Sequence, residues 1–398
     1  MSRAMAGARV PGPPGAGAAP PAGSAPEGSG VLGELAVLKE RVDAVLRVFA
    51  EGESALLEAV DPELKPVGEQ LRGAVAEGKR LRAAFCYWGW RAAGRDDGED
   101  IVRAAAAMEL VHAAAVVHDD LIDRSPVRHG RPTAHRALAP GPAGGSGAAG
   151  ASAGRSLALL VGDLLISWSG QLFADCGLPA AYLRRAGPLW ATLARELVAG
   201  ECLEVLRTRP PGDGRADPES SFQIIRYKTA KYTVEHPLQI GVLLGGGPVA
   251  LRETFTAYGV PLGEAFQLRD DLLGTFGTPE TTGKSNLDDL AGAKPTVLLA
   301  LARQRATAAE RSELRRLLTS PAAGPEAGAG ADAGPGRLDR FREIAERTGA
   351  RRRVEELIAL RAEAAADALD RALLAGVLPS HAAETLHALA GRSLARAA

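Results

Sequence analysis

The sequence predicts an all-α protein, a single large helical bundle. Ala, Leu, Arg and Glu dominate the long segments between its Gly- and Pro-rich breaks, and these residues favour helices. Apolar residues recur at intervals of three and four, as in Val31 to Val48 and Val354 to Leu374, which is the period of a helix with one buried face. Runs of alternating β-branched and aromatic residues are missing, and only 4% of residues are aromatic. Helices packed on helices are therefore the expected architecture.

Three segments rich in Gly, Ala and Pro interrupt the helical pattern. Residues 1–30 are expected to form a disordered tail, and residues 140–154 and 320–336 to form flexible surface insertions. Such segments contain nothing that could be packed to offset the entropy of ordering them. The composition does not shift between the breaks, so residues 31–398 are expected to form one domain.

The bulk composition argues against several classes of protein. A formal net charge of −1 gives no reason to expect nucleic acid as a partner. The three cysteines are far apart, which is typical of incidental thiols in a reducing compartment and not of a disulfide framework or a zinc site. No apolar run reaches the roughly 18 to 20 residues that span a bilayer, and no apolar signal segment follows Arg3 and Arg9. We therefore expect a cytoplasmic protein without stable membrane insertion.

The most informative segment is the aspartate cluster that ends the apolar stretch from Ile101 to Val117. Asp119 and Asp123 are four residues apart and share a helix face, and Asp120 flanks that face. Like charges stacked in this way repel each other, which makes sense if a cation lies between them. Carboxylate oxygens suit Mg²⁺. A single cluster of this kind could equally be a solvated acidic helix end.

A second cluster favours the metal-binding interpretation. Asp270 and Asp271 again follow an apolar helical segment, Leu262 to Leu268. Two helices that offer carboxylates toward one cavity could hold Mg²⁺ ions, which would neutralise a departing diphosphate. Cationic side chains, the natural ligands of phosphate oxygens, accompany the two clusters at Lys79, Arg80, Arg82, Arg128, Arg131, Lys228, Lys284 and Lys294.

Six ordered motifs resemble the trans-isoprenyl diphosphate synthase (polyprenyl synthetase) family, and geranylgeranyl diphosphate synthases most of all. The resemblance runs from about Leu64 to Leu301. Its motifs are GKRLRA from residue 78, HDDLIDRSPVRHGRPTAH from 118, GDLL from 162, KTAKYTVEHPL from 228, FQLRDD from 266 and TTGKSNLDDLAGAKPT from 281. The resemblance implies a bundle around a central apolar cavity, and it implies that the protein is a homodimer.

The resemblance also implies roles for individual residues. The implied metal ligands are Asp119, Asp120, Asp123, Asp270 and Asp271, which would hold Mg²⁺, three ions when substrate is bound. The implied contacts of the allylic diphosphate are Arg128, Lys228, Gln267, Lys284 and, at the rim, Lys294. The implied contacts of isopentenyl diphosphate are Lys79, Arg82 and His112, with His129 where the family usually has a second arginine. Thr229 would face the allylic carbocation, and the catalytic step would rest on Asp119, Asp123, Lys228, Thr229 and Asp270.

The implied reaction condenses isopentenyl diphosphate with an allylic diphosphate, head to tail, to give a trans-prenyl diphosphate. In this family, residues one helical turn before the first aspartate motif form the floor of the apolar tunnel. Alanines stand there in this chain, Ala113 to Ala115, and they leave room for a C20 product. Val111 and Met108 are the expected floor residues deeper on the same helix. An Ala114→Phe substitution is expected to shorten the product.

Alternatives remain open at the level of the sequence. A longer-chain or a farnesyl diphosphate synthase would share every motif. A class I terpene cyclase would carry an Asn/Ser/Glu metal triad in place of Asp270 and Asp271, and it would line its pocket with more aromatic residues. A non-catalytic synthase subunit would have lost part of the aspartate and lysine set. A simple Mg²⁺- or Ca²⁺-binding protein would not need the cationic residues.

Overall fold

The computed structural model describes residues 30–140, 147–208, 217–277, 294–319 and 333–395. The described residues fold almost entirely into helices, which confirms the predicted all-α class. In chain order the α-helices are α1 (Val31–Val60), α2 (Lys65–Ala76), α3 (Leu81–Ala92), α4 (Glu99–Ile122), α5 (Ala134–Ala137), α6 (Ala148–Ala174), α7 (Ala180–Arg207), α8 (Pro218–Ile225), α9 (His236–Gly245), α10 (Val249–Phe276), α11 (Val297–Arg305), α12 (Ala308–Thr319), α13 (Ala333–Arg347), α14 (Ala350–Leu374) and α15 (Ser380–Leu394).

Three short elements complete the described chain. A 3₁₀ turn spans Pro62–Leu64, where the Asp61 side chain accepts a hydrogen bond from the backbone N–H of Glu63. Strands β1 (Val127–Arg128) and β2 (Arg131–Pro132) form an antiparallel hairpin just after α4. A ten-residue π-helix, Arg226–Glu235, joins α8 to α9, and we call it the π segment.

Helix ends follow local capping rules. Asp217 accepts a hydrogen bond from the N–H of Ser220 at 2.8 Å and starts α8. Before α12, the N–H of Thr307 donates to Glu310, and the Thr307 hydroxyl accepts from the N–H of Glu310 at 3.3 Å. This reciprocal capping box satisfies two backbone donors that the helix leaves open.

Two apolar cores hold the helices together. The larger core draws on α1 to α4, α6, α7, α9 and α15, and its largest fully buried side chains include Phe85, Phe255 and Tyr258. The second core packs α8, α11, α12 and α13 around residues such as Leu298 and Phe341. Helices α10 and α14 contribute to both cores, so they join the two halves of the described structure.

Glycines allow the closest helix crossings. A Cβ atom at Gly89 of α3 would lie 2.1 Å from the carbonyl oxygen of Leu238 in α9, and one at Gly241 of α9 would lie 2.0 Å from that of Cys86. A Cβ at Gly162 of α6 would lie 2.0 Å from the His118 ring of α4. This last contact fixes α6 directly beside the residue that precedes the first aspartates.

The structure corrects parts of the two predicted insertions. Residues 148–154 open helix α6, and Gly154 is buried where a Cβ would lie 2.3 Å from the carbonyl oxygen of His135. The small residues there permit close packing, which composition alone cannot distinguish from flexibility. Likewise residues 333–336 begin helix α13. Residues 1–29, 141–146 and 320–332 lie outside the described residues.

Two helices also correct the expectation that no segment is long and apolar enough to cross a membrane. Helix α4 has an 18-residue window of mean hydropathy 1.4, and α6 has one of 1.5. In α4, 72% of that window is buried inside the protein, as expected for the core helix of a bundle, whereas the figure for α6 is 44%. Length and composition alone are therefore weak evidence for a membrane span here.

Candidate active site

A cavity of about 980 Å³ opens between α4, α7, the π segment and α10. Its charged wall includes Asp119, Arg128, Lys228 and Asp270, and its apolar wall includes Ala113, Ala115, Val117, Leu197, Ile225 and Phe266. Charged groups and apolar surface thus share a single enclosure, as a ligand with a charged head and an apolar chain would require.

The first aspartates lie at the C-terminal end of α4. Asp120 is buried and binds the Arg128 guanidinium through two nitrogens, with Nε–Oδ2 at 2.8 Å and Nη2–Oδ1 at 2.7 Å. The same guanidinium lies 3.4 Å from Asp119. The β-hairpin that follows α4 carries Arg128, so local folding places this cation against the aspartates. Asp119, Asp120 and Arg128 all line the cavity, whereas Asp123 does not line it.

Two lysines neutralise Asp119 and Asp123. The ammonium of Lys228 lies 2.9 Å from Asp119, 2.9 Å from Glu201 and 2.6 Å from Glu204. The ammonium of Lys294 lies 2.6 Å from Asp123 and 3.8 Å from Glu204. Two cations, one from the π segment and one from the residues just before α11, are thus held in a ring of four carboxylates.

These contacts determine the charge states in the site. Burial alone would raise the pKa of Asp119, but the ammonium groups of Lys294 and Lys228 outweigh burial and hold that pKa below its usual range. Burial would lower the pKa of Lys228, but Glu204 and Asp119 outweigh it and raise that pKa. The pKa of Asp123 is raised, first by burial and then by the charge of Asp119, although Lys294 lies close by. Asp119 and Lys228 are therefore firmly ionised.

The second aspartates lie on α10, across the cavity from the first pair. Asp270 and Asp271 both line the cavity. The Gln267 side-chain amide nitrogen donates to Asp271 at 2.9 Å, and the Thr229 hydroxyl donates to the side-chain amide oxygen of Gln267, Oε1, at 2.9 Å. A hydrogen-bonded chain therefore connects the π segment to the second aspartate pair.

The residues predicted to contact isopentenyl diphosphate line the same cavity. Lys79, Arg82, His112 and His129 all line it. The Arg82 guanidinium donates to the Tyr232 hydroxyl at 2.6 Å and to Thr233 at 2.9 Å. The Tyr232 hydroxyl in turn lies 3.3 Å from Nδ1 of His112. His129 is exposed and has a left-handed backbone conformation, with φ of 49°.

Sequence reasoning missed three side chains of this site. Glu201 and Glu204 hold Lys228, and Tyr232 holds Arg82. A signal for the two glutamates existed, because their spacing of three residues puts both on one helix face. Their partner could not be read from the sequence, since α7 and the π segment meet only in the folded chain.

Fewer of the predicted tunnel-floor residues line the cavity than expected. Ala113 and Ala115 line the cavity, but Ala114 and Val111 do not, and both are buried in the larger core. At 3.6 residues per turn, Ala115 is rotated only about 40° from Asp119 and shares its helix face, whereas Ala114 is about 140° away and packs in the larger core. Met108 is also buried in the core and away from the cavity lining.

One predicted contact of the allylic diphosphate, Lys284, lies outside the described residues. The carboxylates that are described fit a hard divalent cation. Ligand oxygens of Asp119, Glu201 and Glu204 lie within 4.8 Å of one another. An all-oxygen donor set of this kind suits Mg²⁺, although in this structure the Lys228 ammonium contacts all three carboxylates.

Comparison with known proteins agrees with this geometry. Residues 65–327 match the family model described as polyprenyl synthetase. A (2E,6E)-farnesyl diphosphate synthase of Mycobacterium tuberculosis is 32% identical over 276 residues, which cover 66% of this chain and 68% of that protein. An all-trans-nonaprenyl-diphosphate synthase (geranyl-diphosphate specific) of Rhodobacter capsulatus is 31% identical over 245 residues, covering 62% of this chain and 68% of that protein.

A solved structure is also similar along most of its length. Geranylgeranyl pyrophosphate synthase from Corynebacterium glutamicum, complexed with isoprenyl diphosphate and magnesium, superposes with a TM-score of 0.79 at 32% identity. The superposition covers 91% of this chain and 99% of that one. The relatives thus share chemistry but are named for products of different length.

Proposed function

We propose that this chain, which belongs to the polyprenyl synthetase family of prenyltransferases, condenses isopentenyl diphosphate with allylic diphosphates to make a trans-prenyl diphosphate, in particular geranylgeranyl diphosphate. One observation carries the proposal. Asp119 and Asp120 of α4 line the same cavity as Asp270 and Asp271 of α10, and apolar side chains such as Ala115 and Phe266 line it as well. Such a cavity can fix a diphosphate at one end while it shields an isoprenoid chain at the other.

The allylic diphosphate would bind at the charged wall. Arg128, Lys228 and Lys294 supply positive charge beside the first aspartate cluster. Bound Mg²⁺ would supply further charge that stabilises the departing diphosphate. As the allylic C1–O bond breaks, its electron pair leaves with the diphosphate, and the fixed cations of the chain stabilise this developing anion. Asp119 stays ionised, and Asp119 and Asp123 hold the ammonium groups of Lys228 and Lys294 in place.

The second substrate would bind where Lys79, Arg82 and His112 meet. Held there, the double bond of isopentenyl diphosphate attacks C1 of the allylic cation, and the gain comes from positioning. A proton then leaves C2 of the isopentenyl unit, and the departed diphosphate accepts it. Ala113, Val117 and Phe266 form apolar walls that keep water from quenching the cation.

The C20 product is the finer part of the proposal. It rests on Ala113 and Ala115, whose small side chains leave the apolar wall open one turn below the aspartates. The relatives are named for farnesyl, geranylgeranyl and nonaprenyl products, so membership in the family does not determine the length of the product. Product length therefore has to be measured on this chain.

We also propose a cytoplasmic homodimer that uses no nucleic acid. Helices α6 and α7 expose apolar side chains on their outer faces, among them Leu160 at 54% and Val198 at 60% exposure. Burying such surface against a second copy would remove it from water. Sedimentation of the purified protein would test the dimer directly.

The deciding experiment is a product analysis. Purified protein receives labelled isopentenyl diphosphate, Mg²⁺ and dimethylallyl, geranyl or farnesyl diphosphate in turn. A C20 product that disappears in the Asp119→Ala variant and on removal of Mg²⁺ supports the whole proposal. A C15 or much longer product would keep the reaction and refute the length. Cyclic hydrocarbon, or no elongation from any primer, would instead favour a terpene cyclase or a non-catalytic subunit.

A further inference from the structure

The π segment contributes Lys228, Thr229 and Tyr232 to the cavity lining. Lys228 pairs with Asp119 and Thr229 donates to Gln267, while Tyr232 and Thr233 hold Arg82, a proposed contact of isopentenyl diphosphate. A π-helix is rare, and it is found mostly as a single turn at functional sites. Here the π geometry continues over ten residues, so something must favour it over the tighter α-helix.

Three glycines on the flanking helices make room for this wider helix. A Cβ at Gly200 of α7 would lie 2.3 Å from the backbone nitrogen of Lys228. A Cβ at Gly263 of α10 would lie 2.4 Å from the Cα of Ala230, and one at Gly259 would lie 2.8 Å from the Cα of Glu235. Every one of these contacts is with backbone, which cannot rotate aside as a side chain can.

The contacts are spread over the whole π segment. Gly200 meets its beginning, Gly263 its middle and Gly259 its end. Two neighbouring helices are therefore shaped to the width and register of this one element. Any Cβ at these positions would push the segment toward the cavity or toward a narrower helix.

An independent observation ties this register to a ligand. Arg82 is only 8% exposed, lines the cavity and is held by Tyr232 and Thr233 of the π segment. Its Nε nonetheless has no hydrogen-bond partner within the described part of the chain. A buried guanidinium with an open donor at a cavity wall is poised to receive an anionic oxygen.

We propose that Gly200, Gly259 and Gly263 are positioning residues that hold residues 226–235 in the π register and so place Lys228 and Tyr232 for the two diphosphates. The inference rests on the proposed function. It adds that the alignment of the cationic groups is set by glycines that touch no substrate. The simpler account is that these glycines only allow tight packing, in which case alanine would lower stability without changing the chemistry.

The test begins with Gly200→Ala, with Gly52→Ala as the matched control. Gly52 lies within α1 and a Cβ there meets nothing within 4 Å. We expect Gly200→Ala to lower kcat/KM for the allylic substrate by about 100-fold at a temperature where the protein stays folded, because a misplacement of about 1 Å costs that much. The control should change it by less than about twofold.

A double-mutant cycle separates positioning from general damage. If Gly200 acts through Lys228, the alanine should cause little further loss in a Lys228→Ala background, because the effects of coupled residues are not additive. An equal, additive loss in that background would overturn the proposal. If Gly200→Ala does not fold, Gly259→Ala is the milder substitution, since its nearest contact is 2.8 Å.

Hydrogen exchange gives a readout that does not depend on turnover. We expect faster amide exchange in residues 226–235 of the Gly200→Ala or Gly259→Ala variant than in wild type, with no change for Gly52→Ala. Unchanged exchange there would refute the register argument even if activity fell. If wild type forms no prenyl product, the proposed function fails, while the exchange result still decides whether the glycines hold the π segment.

Discussion

Ala115→Phe is expected to shorten the product by at least one isoprene unit. Ala115 lines the cavity one helical turn below Asp119. At a rise of 1.5 Å per residue, its Cα lies only about 6 Å along the α4 axis from that of Asp119, so a phenyl ring would project into the space below the diphosphate. Met108, by contrast, lies about 17 Å away along the same axis.

The size of the effect follows from burial of the growing chain. Each added isoprene unit has five carbons, and burying them is worth about 4 kcal/mol at roughly 0.8 kcal/mol per carbon. A ring that denies this space would disfavour the next elongation by a factor of about 1,000, since 1.4 kcal/mol corresponds to tenfold. The product distribution should therefore shift almost completely.

The assay is chromatography of the dephosphorylated products, and Ala114→Phe is the matched control. Ala114 is fully buried in the larger core and does not line the cavity. A phenyl ring there overpacks the core, which should lower the free energy of unfolding by about 1 to 3 kcal/mol and leave product length unchanged. If Ala114→Phe shortens the product while Ala115→Phe does not, the cavity assignment is wrong.

Three further predictions concern other groups. Burial lowers the pKa of His236 to about 4 from its ordinary 6.5, so neutral His236 adds stability above pH 6.5 that is lost as pH falls to 4. His236→Gln should therefore reduce the fall in the free energy of unfolding between pH 6.5 and pH 4 by on the order of 3 kcal/mol. An unchanged pH dependence of unfolding would contradict this role of His236. His129→Arg should lower the KM for isopentenyl diphosphate about tenfold without affecting the allylic KM, which steady-state kinetics would show. Glu264→Gln breaks buried ion pairs to Arg226 and Arg361 and should cost at most about 3 kcal/mol in urea unfolding, because both arginines are about one-third exposed.

The all-α fold could be predicted because helical periodicity is a local property of the chain. The aspartate clusters could be found for the same reason, since Asp119 and Asp123 lie within one turn. Glu201 and Glu204 could not be assigned, because their meaning depends on Lys228, which is 24 residues beyond Glu204 in sequence. Contacts at that separation are fixed by packing and not by local pattern.

Composition is a poor guide to structure where small residues serve packing. Residues 148–154 have the Gly and Ala content of a linker, yet they form the first turns of α6 and bury Gly154 against the backbone of His135. The small size of alanine is likewise uninformative about which tunnel-floor residues line the cavity. Three consecutive alanines look equivalent in sequence, but the helix turns Ala114 into the core and Ala115 toward the cavity.

The position of the site between two apolar cores has a thermodynamic consequence. Asp119 belongs to a helix of the larger core, whereas Asp270 lies between Leu268 and Leu272 of the second core. A diphosphate held at the same time by the Asp119 side and the Asp270 side of the cavity would link the two cores. Ligand that binds only the folded state at 100 times its Kd adds about 2.7 kcal/mol to stability. Substrate would therefore protect this enzyme against heat by joining halves that each already have their own core.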